Sequence, residues 1–400
     1  MTMAVSDNNK IKICMIVQQP DVKGGIAAVT SGYYGSELEE EFEIRYVESY
    51  CDGSKVKKLL KAIAGYMDYC KVLSEFKPDL VHIHSSFGAS FYRMQPFLNL
   101  AVKKGIPVID HCHGADFEEF YENASQAKKE NIAKVFNKYT KVIVLSDEWK
   151  ERFTKFLPAE KIEVIANYAP IRDLESVKAS LDHRYDNRQV VFLGELGKRK
   201  GGYDFGRIIK AFREKAGDVR FVFCGDGQQD DKAAILDEIK KNVPNALIDS
   251  YMNAGPVLDI CSDSKADPSK DEAKRTEIYF TGWVRGAEKD KILDESSVFI
   301  LPSYQEGLPM SILEAMGFGL PVISTAVGGI PKLGGEDSGC FICEPGDVDS
   351  MADAYAGIMS DIDTYKTLSL KNLQKAKAGY GFDAHIGKLT DLYREVMSDH

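Results

Sequence analysis

Short apolar runs rich in Val, Ile and Phe alternate with longer amphipathic segments along nearly the whole chain, and this alternation limits the fold more than any other feature. Runs that are apolar throughout, rather than at every second residue, belong to strands covered on both faces, and the segments between them suit crossover helices. Strands are predicted at 11–17, 44–47, 80–84, 108–111, 142–145 and 162–165 in the first half. In the second half they are predicted at 189–193, 220–224, 278–282, 298–301 and 322–324, and Cys340–Cys343 reads as a further short buried strand. The class is therefore α/β, with two doubly wound parallel sheets in tandem, which a chain of 400 residues is long enough to build. The mixed, charged stretch Pro170–Asn187 falls between the two series and reads as the linker. One segment breaks the rhythm: in 249–277 the part from Cys261 to Arg275 is dominated by Ser, Asp, Lys and Glu, which predicts an exposed insertion. Open α/β sheets hold their ligands outside the carboxyl ends of the strands, so function is expected in the strand-to-helix loops.

Charge excludes some partners. The formal net charge of −10 argues against general nucleic-acid binding. Residues 1–185 hold 25 Lys+Arg and 26 Asp+Glu, so most of the excess lies beyond them, and the first half is the part suited to approach an anionic membrane. Apolar stretches such as 11–17 and 298–301 are too short to cross a bilayer, and residues 1–10 are polar with no signal-peptide core. A cytoplasmic protein is expected. Of the eight cysteines only Cys340 and Cys343 form a CxxC, and reduced, structural thiols are the expectation.

The most informative stretch is Pro302-Ser303-Tyr304-Gln305-Glu306-Gly307-Leu308-Pro309-Met310-Ser311-Ile312-Leu313-Glu314, which follows the strand at 298–301. Pro309 suits the first turn of a helix, and the amides of Met310 and Ser311 would then point out of the helix N-terminus, where donors and dipole favour a phosphate. Glu306 lies in the loop and Glu314 about two turns further on, so two carboxylates are available to two sets of sugar hydroxyls. Spacing alone also fits an ordinary capped helix with surface glutamates.

With the flanking Gly319-Leu320-Pro321-Val322 and Gly328-Gly329, this stretch closely resembles the signature of the retaining glycosyltransferases called family four. The resemblance implies the GT-B fold: two Rossmann-like doubly wound domains facing a central cleft and closing over a nucleotide sugar. The expected divisions are 1–186 as an acceptor-side domain with linker, 187–378 as the nucleotide-sugar domain, and 379–400 as a helix crossing back to the first domain. It further implies that Glu306 contacts the transferred sugar and Glu314 the ribose, and that Leu308 and the backbone of Met310 and Ser311 lie at the diphosphate. Gly194 to Gly201 resembles the family's phosphate loop, in which an arginine and a lysine neutralise the diphosphate. Lys200 matches the lysine. Glu195 stands where the arginine is expected, which leaves Arg199 or Lys198 to supply the second charge.

Other loops match in order. Gly24 and Gly25 resemble the opening loop that touches donor phosphates or acceptor, and His111 to Asp116 resembles the histidine-glycine loop, with His113 near the donor sugar and Asp116 on the acceptor side. Asn167 resembles the asparagine after the last strand of the first domain, again on the acceptor side, and Gly282-Trp283-Val284 the loop facing the nucleotide base. No cofactor and no metal are expected. His82 and His84 alternate along a strand and read as packed or hydrogen-bonded, and the four histidines His82, His84, His111 and His113 are not expected to form a metal site, because they lack a carboxylate or cysteine partner at ligand spacing. Asp347-Val348-Asp349 and Asp361-Ile362-Asp363 spell a metal-binding Asp-x-Asp but border helices, where Asp is an ordinary cap.

The expected partners are a nucleotide-sugar donor, most simply a UDP-sugar, and a saccharide or lipid-linked acceptor of surface polysaccharide or glycolipid synthesis. Lys55, Lys57, Lys58 and Lys61 stand among apolar residues at helical spacing, which fits a peripheral contact with anionic lipid on the inner face of the membrane, or else a packed helix with solvated lysines. Two rival functions remain open at this point: a nucleotide-sugar epimerase of the same fold, and a non-catalytic, degenerate transferase whose donor site Glu195 has spoiled.

Overall fold

In the first sheet the apolar runs are buried on both faces, and Ile13, Cys14, Met15 and Ile16 are all fully inaccessible. The computed structural model describes residues 10–114, 117–250 and 277–400. Chain contacts divide it into two units, Met1–Tyr168 with Phe382–His400, and Ala169–Gly381. Residues 251–276, most of the expected insertion, lie outside the described residues, as does Asp116.

The first unit holds a six-stranded parallel sheet in the order β2-β1-β3-β4-β5-β6. Its strands are β1 (Lys12–Gln18), β2 (Glu43–Tyr50), β3 (Leu80–Ser85), β4 (Val108–Cys112), β5 (Lys141–Val144) and β6 (Ile162–Val164). All six predicted strands are present. β2 runs longer than predicted because it is an edge strand: its exposed Glu43 and half-buried Glu48 need no cover, so the apolar signal stops early. Helices Lys55–Glu75, Gln126–Phe136 and Asp147–Phe153 start behind Ser54, Ser125 and Ser146, each of which caps by accepting the amide three residues on. One face of the sheet is backed by an aromatic core that includes Phe87, Phe91, Phe117, Phe136, Trp149 and Phe153. Helix Phe382–Ser398 completes this unit. Tyr33 Oη lies 2.7 Å from His385 Nε2, His82 Nδ1 lies 2.5 Å from Tyr393 Oη, and Lys141 pairs with Glu395 at 2.7 Å.

The second unit holds a seven-stranded parallel sheet ordered β13-β12-β11-β7-β8-β10-β9. Its strands are β7 (Gln189–Leu193), β8 (Arg220–Cys224), β9 (Leu247–Ser250), β10 (Glu277–Gly282), β11 (Val298–Leu301), β12 (Val322–Thr325) and β13 (Cys340–Cys343). β9 was not predicted. It is an edge strand of four residues, Leu-Ile-Asp-Ser, with too little apolar sequence to register, and it pairs with β10 through Leu247 opposite Glu277. The two Asp-x-Asp words are caps: Asp347 accepts the Ser350 amide at 3.1 Å and Asp361 the Thr364 amide at 2.9 Å.

The expected linker is not a linker. Helix Leu174–Asn187 occupies most of Pro170–Asn187 and packs within the second unit, and the chain passes between units at Tyr168 and Ala169. Arg184 is the reason this charged segment folds inward. Its guanidinium is 1% exposed and donates to Asp294 O and Phe318 O, both at 2.8 Å, and to the Asp294 carboxylate at 3.2 Å. A buried cation needs such full satisfaction. Arg184→Ala strips these donors from one buried and one half-buried carbonyl and should lower the unfolding free energy in urea by about 2–4 kcal/mol with little change in slope; a loss below about 0.5 kcal/mol would show that the contacts are incidental.

Candidate functional site

Two glycines set the geometry at the carboxyl ends of the second unit's strands. Gly201 has φ +76°, and a Cβ there would stand 2.1 Å from Pro302 O, so the loop after β7 lies directly against the loop after β11. Gly328 has φ +54°, and a Cβ there would stand 2.0 Å from Glu306 O, while the Gly329 amide donates to Gly307 O at 2.7 Å. Any other residue at either position clashes with backbone and strains its own. The loop 302–309 is thus clamped between two neighbours, and Thr325 Oγ1 holds it from below by donating to Ser303 O at 2.5 Å.

The clamp brings Lys200 and Glu306 together. Lys200 Nζ donates to Glu306 Oε1 at 2.5 Å, and Ser303 Oγ donates to the same oxygen at 2.7 Å. The side chains are 13% and 6% exposed, so this is a largely buried, charge-assisted contact. Sequence reading singled out the two charged residues but missed Ser303, although it stands one turn before Glu306 within the same motif. Helix Met310–Gly317 then begins behind Pro309, with Met310 and Ser311 half-buried in its first turn, where backbone amides have no partner within the helix. Leu308 is buried beneath.

Glu314 lies on that helix away from the clamp. It accepts from Lys289 Nζ at 2.8 Å, with the side chains 13% and 22% exposed. Lys289 belongs to helix Gly286–Glu295, and nothing in its local sequence marked it. Each carboxylate of the motif is therefore neutralised by its own lysine. Gly282, with φ +76°, ends β10 and accepts from the Gly225 amide at 2.7 Å; Val284 is buried, and the Arg285 guanidinium lies 5.8 Å from the centre of the Trp283 ring. Arg199 donates to Gln305 O at 3.2 Å and reaches Glu195 at 3.5 Å. That pair is exposed, with Glu195 at 57%.

In the first unit, Gly24 precedes helix Gly25–Ser31 with φ +156°, and the space that a Cβ would fill at either glycine is open. His113 follows β4, its amide donates to Ser85 O at 2.9 Å, and its Nε2 lies 3.0 Å from His84 Nδ1. It is half-buried, and Asn167 is buried. Behind His113 stand His82, His84, His111 and His385. Desolvation first, and neighbouring imidazoles second, push the His82 and His113 rings down to about 3 and hold His84 and His111 well below the usual histidine range. Near neutral pH these rings are uncharged, so His113 is available only as a neutral hydrogen-bonding group.

Comparison with known proteins fits this arrangement. Residues 26–170 match the model of "Glycosyltransferase Family 4" and residues 246–361 that of "Glycosyl transferases group 1". An Escherichia coli UDP-Gal:alpha-D-GlcNAc-diphosphoundecaprenol alpha-1,3-galactosyltransferase is 25% identical over 98% of this chain and 99% of its own. The Niallia circulans 2-deoxystreptamine N-acetyl-D-glucosaminyltransferase is 23% identical over 73% of this chain and 70% of its own. Among solved structures, sucrose-phosphate synthase from Thermosynechococcus elongatus superposes with a TM-score of 0.72 at 16% identity, covering 98% of this chain and all of that one. Anabaena HepE in complex with UDP-glucose superposes with a TM-score of 0.64 at 16% identity over 97% of this chain and all of that one. The fold is GT-B, and the chain belongs to glycosyltransferase family four. It is an enzyme of the hexosyltransferase kind.

The exposed Glu195–Arg199 pair is of a kind that contributes only about 0–1 kcal/mol. Glu195→Arg should therefore leave folding unchanged and, on the expectation that the loop after β7 meets the diphosphate, tighten nucleoside diphosphate binding several-fold by adding a cation there. Titration of UDP followed by calorimetry reads this; lost binding in a folded variant would give Glu195 a positive role.

Proposed function

We propose that the enzyme transfers a sugar from a UDP-sugar, with retention of anomeric configuration, to a hydroxyl of a lipid-linked saccharide in surface polysaccharide or glycolipid synthesis. The observation that carries the reading is the fixed Glu306, held by Lys200 and Ser303 just before a helix N-terminus. The donor and acceptor class is supported by the activity for which the Escherichia coli relative is named and by the UDP-glucose complex of HepE.

In this mechanism Lys200 and the amides of Met310 and Ser311 receive the diphosphate and stabilise the charge that grows as its bond to the sugar breaks. Arg199 supplies further positive charge. Glu306 accepts from hydroxyls of the sugar, and its carboxylate offsets positive charge developing on that ring. Glu314 accepts from the ribose and exchanges part of its contact with Lys289 to do so, while Gly282, Trp283 and Val284 form the base-side wall. From the first unit Gly24, Gly25 and the neutral His113 serve the donor, and Asp116 and Asn167 the acceptor. No protein nucleophile is required. The leaving phosphate takes the acceptor's proton as the new bond forms on the face it vacates.

A lipid-linked acceptor requires contact with a bilayer. No described helix is long and apolar enough to cross one. On helix Lys55–Glu75, however, Val56, Leu59, Leu60, Ile63 and Met67 are 50–68% exposed, a solvent-facing apolar stripe at helical spacing beside Lys55, Lys57 and Lys58. A helix merely packed on its sheet would turn that stripe inward. Two of the four lysines are also held within the unit: Lys61 pairs with Glu48 at 2.7 Å, and Lys58 lies 5.3 Å from the centre of the Tyr50 ring. This face is suited to lie in an anionic lipid surface.

Two experiments follow. Glu306→Gln should lower the maximal transfer rate about a hundredfold while changing UDP affinity little, because its charge acts on the reacting sugar. Glu314→Gln should instead weaken UDP about tenfold, with a smaller effect on the rate. The reverse pattern in UDP titrations and donor saturation kinetics would invert the donor along this helix. For the membrane, vesicles containing anionic phospholipid should sediment the protein, and Leu60→Glu with Ile63→Glu should abolish this without lowering the melting temperature. Equal sedimentation of variant and parent would remove the stripe from the reading.

A further inference from the structure

The first unit gathers three histidines that transfer does not use. His82 and His84 stand two residues apart on β3 and share a face, and the β3–β4 register sets His84 opposite His111. One ring nitrogen from each lies within 4.8 Å of the others, and all three side chains are buried, none more than 3% exposed. The sequence argues against a metal here because no carboxylate or cysteine stands at ligand spacing; the sheet register is what brings three imidazoles together without one.

The hydrogen bonds leave a particular set of atoms bare. His82 Nδ1 is engaged by Tyr393 Oη at 2.5 Å and His84 Nδ1 by His113 Nε2 at 3.0 Å. Among the described residues His82 Nε2, His84 Nε2 and both ring nitrogens of His111 are buried with no hydrogen-bond partner. An unpaired buried polar atom costs about 1–3 kcal/mol, so four in one cluster call for an occupant. His82 and His84, though not His111, thereby show the division of metal-bound histidines, with one nitrogen free for the ion and the other held by an outer group that fixes ring and tautomer. Here Tyr393 and His113 would be those outer groups.

We propose that His82, His84 and His111 form a binding site for a divalent cation of the zinc class. Three imidazoles with no carboxylate among them select a borderline transition cation over magnesium or calcium. Zinc–nitrogen bonds of about 2.0–2.1 Å place tetrahedral nitrogens roughly 3.4 Å apart, so rotations that move the ring nitrogens by about an ångström close the set. A fourth position stays open for water or another oxygen ligand. The ion ties the end of β3 to β4 and, through His84 Nδ1, holds the His113 ring in place. It is a positioning element for the histidine-glycine loop, separate from the cations that serve the diphosphate.

The test uses the full chain, stripped with chelator and titrated with zinc or cobalt. One equivalent should bind, cobalt should show visible bands of four-coordinate geometry without the near-ultraviolet charge-transfer band of thiolate ligands, and zinc should raise the melting temperature reversibly. His82→Gln and His111→Gln should each weaken cobalt binding by ~100-fold or more, whereas Cys340→Ser with Cys343→Ser should leave it unchanged. A parent protein that takes up no metal and shows no thermal shift overturns the proposal even where the histidine variants fail to fold. Binding that survives in both histidine variants, or that shows thiolate bands, places the ion elsewhere and overturns it equally.

Discussion

The short contact between Lys200 and Glu306 is the interaction around which the second unit's loops are organised. Neither charge would be stable alone at that depth, since a largely desolvated ion needs a partner. Bringing them together requires two loops to touch at backbone distance, which only glycine at 201 permits, and a third loop to press in at Gly328. Ser303 then fixes which carboxylate oxygen the lysine meets. Under the proposed mechanism a donor diphosphate would meet here a cation already oriented and already stripped of most of its water, which is what preorganised stabilisation of a leaving group requires.

Much of this was legible in the sequence because it is local. Strand runs in buried parallel sheets announce themselves by continuous apolar content, and the strands centred on Ile16, Ile83, Val191 and Ile300 fall where that content is highest. The loop 302–314 carries its helix start, its acids and its serine in one stretch, although nothing local shows that the Ser303 hydroxyl turns onto Glu306. What failed to show depended on distant chain. Lys289 reaches Glu314 from another helix, and His111 joins His82 and His84 only through sheet register. The charge of helix Leu174–Asn187 suggests an exposed linker, and Arg184 breaks that rule by finding enough acceptors to be buried.

The same caution applies to helix Lys55–Glu75, where lysines drew attention first. Its apolar stripe is the more unusual observation, since large apolar side chains in a contiguous row seldom face solvent without a partner surface. Lysine stems beside such a row extend it while keeping their charges at the rim. Composition alone does not separate this helix from a packed one; only knowing which face the sheet covers does.

Helix Phe382–Ser398 makes the first unit discontinuous in sequence: Tyr33, His82 and Lys141 find partners about 250 to 350 positions later. During synthesis, therefore, the first sheet emerges before its last packing partner exists, and Tyr393 is added only after the whole second unit has been made. The sheet must wait, incompletely covered, while its neighbour folds. Shortening the chain at that final helix would strike the unit that was translated first.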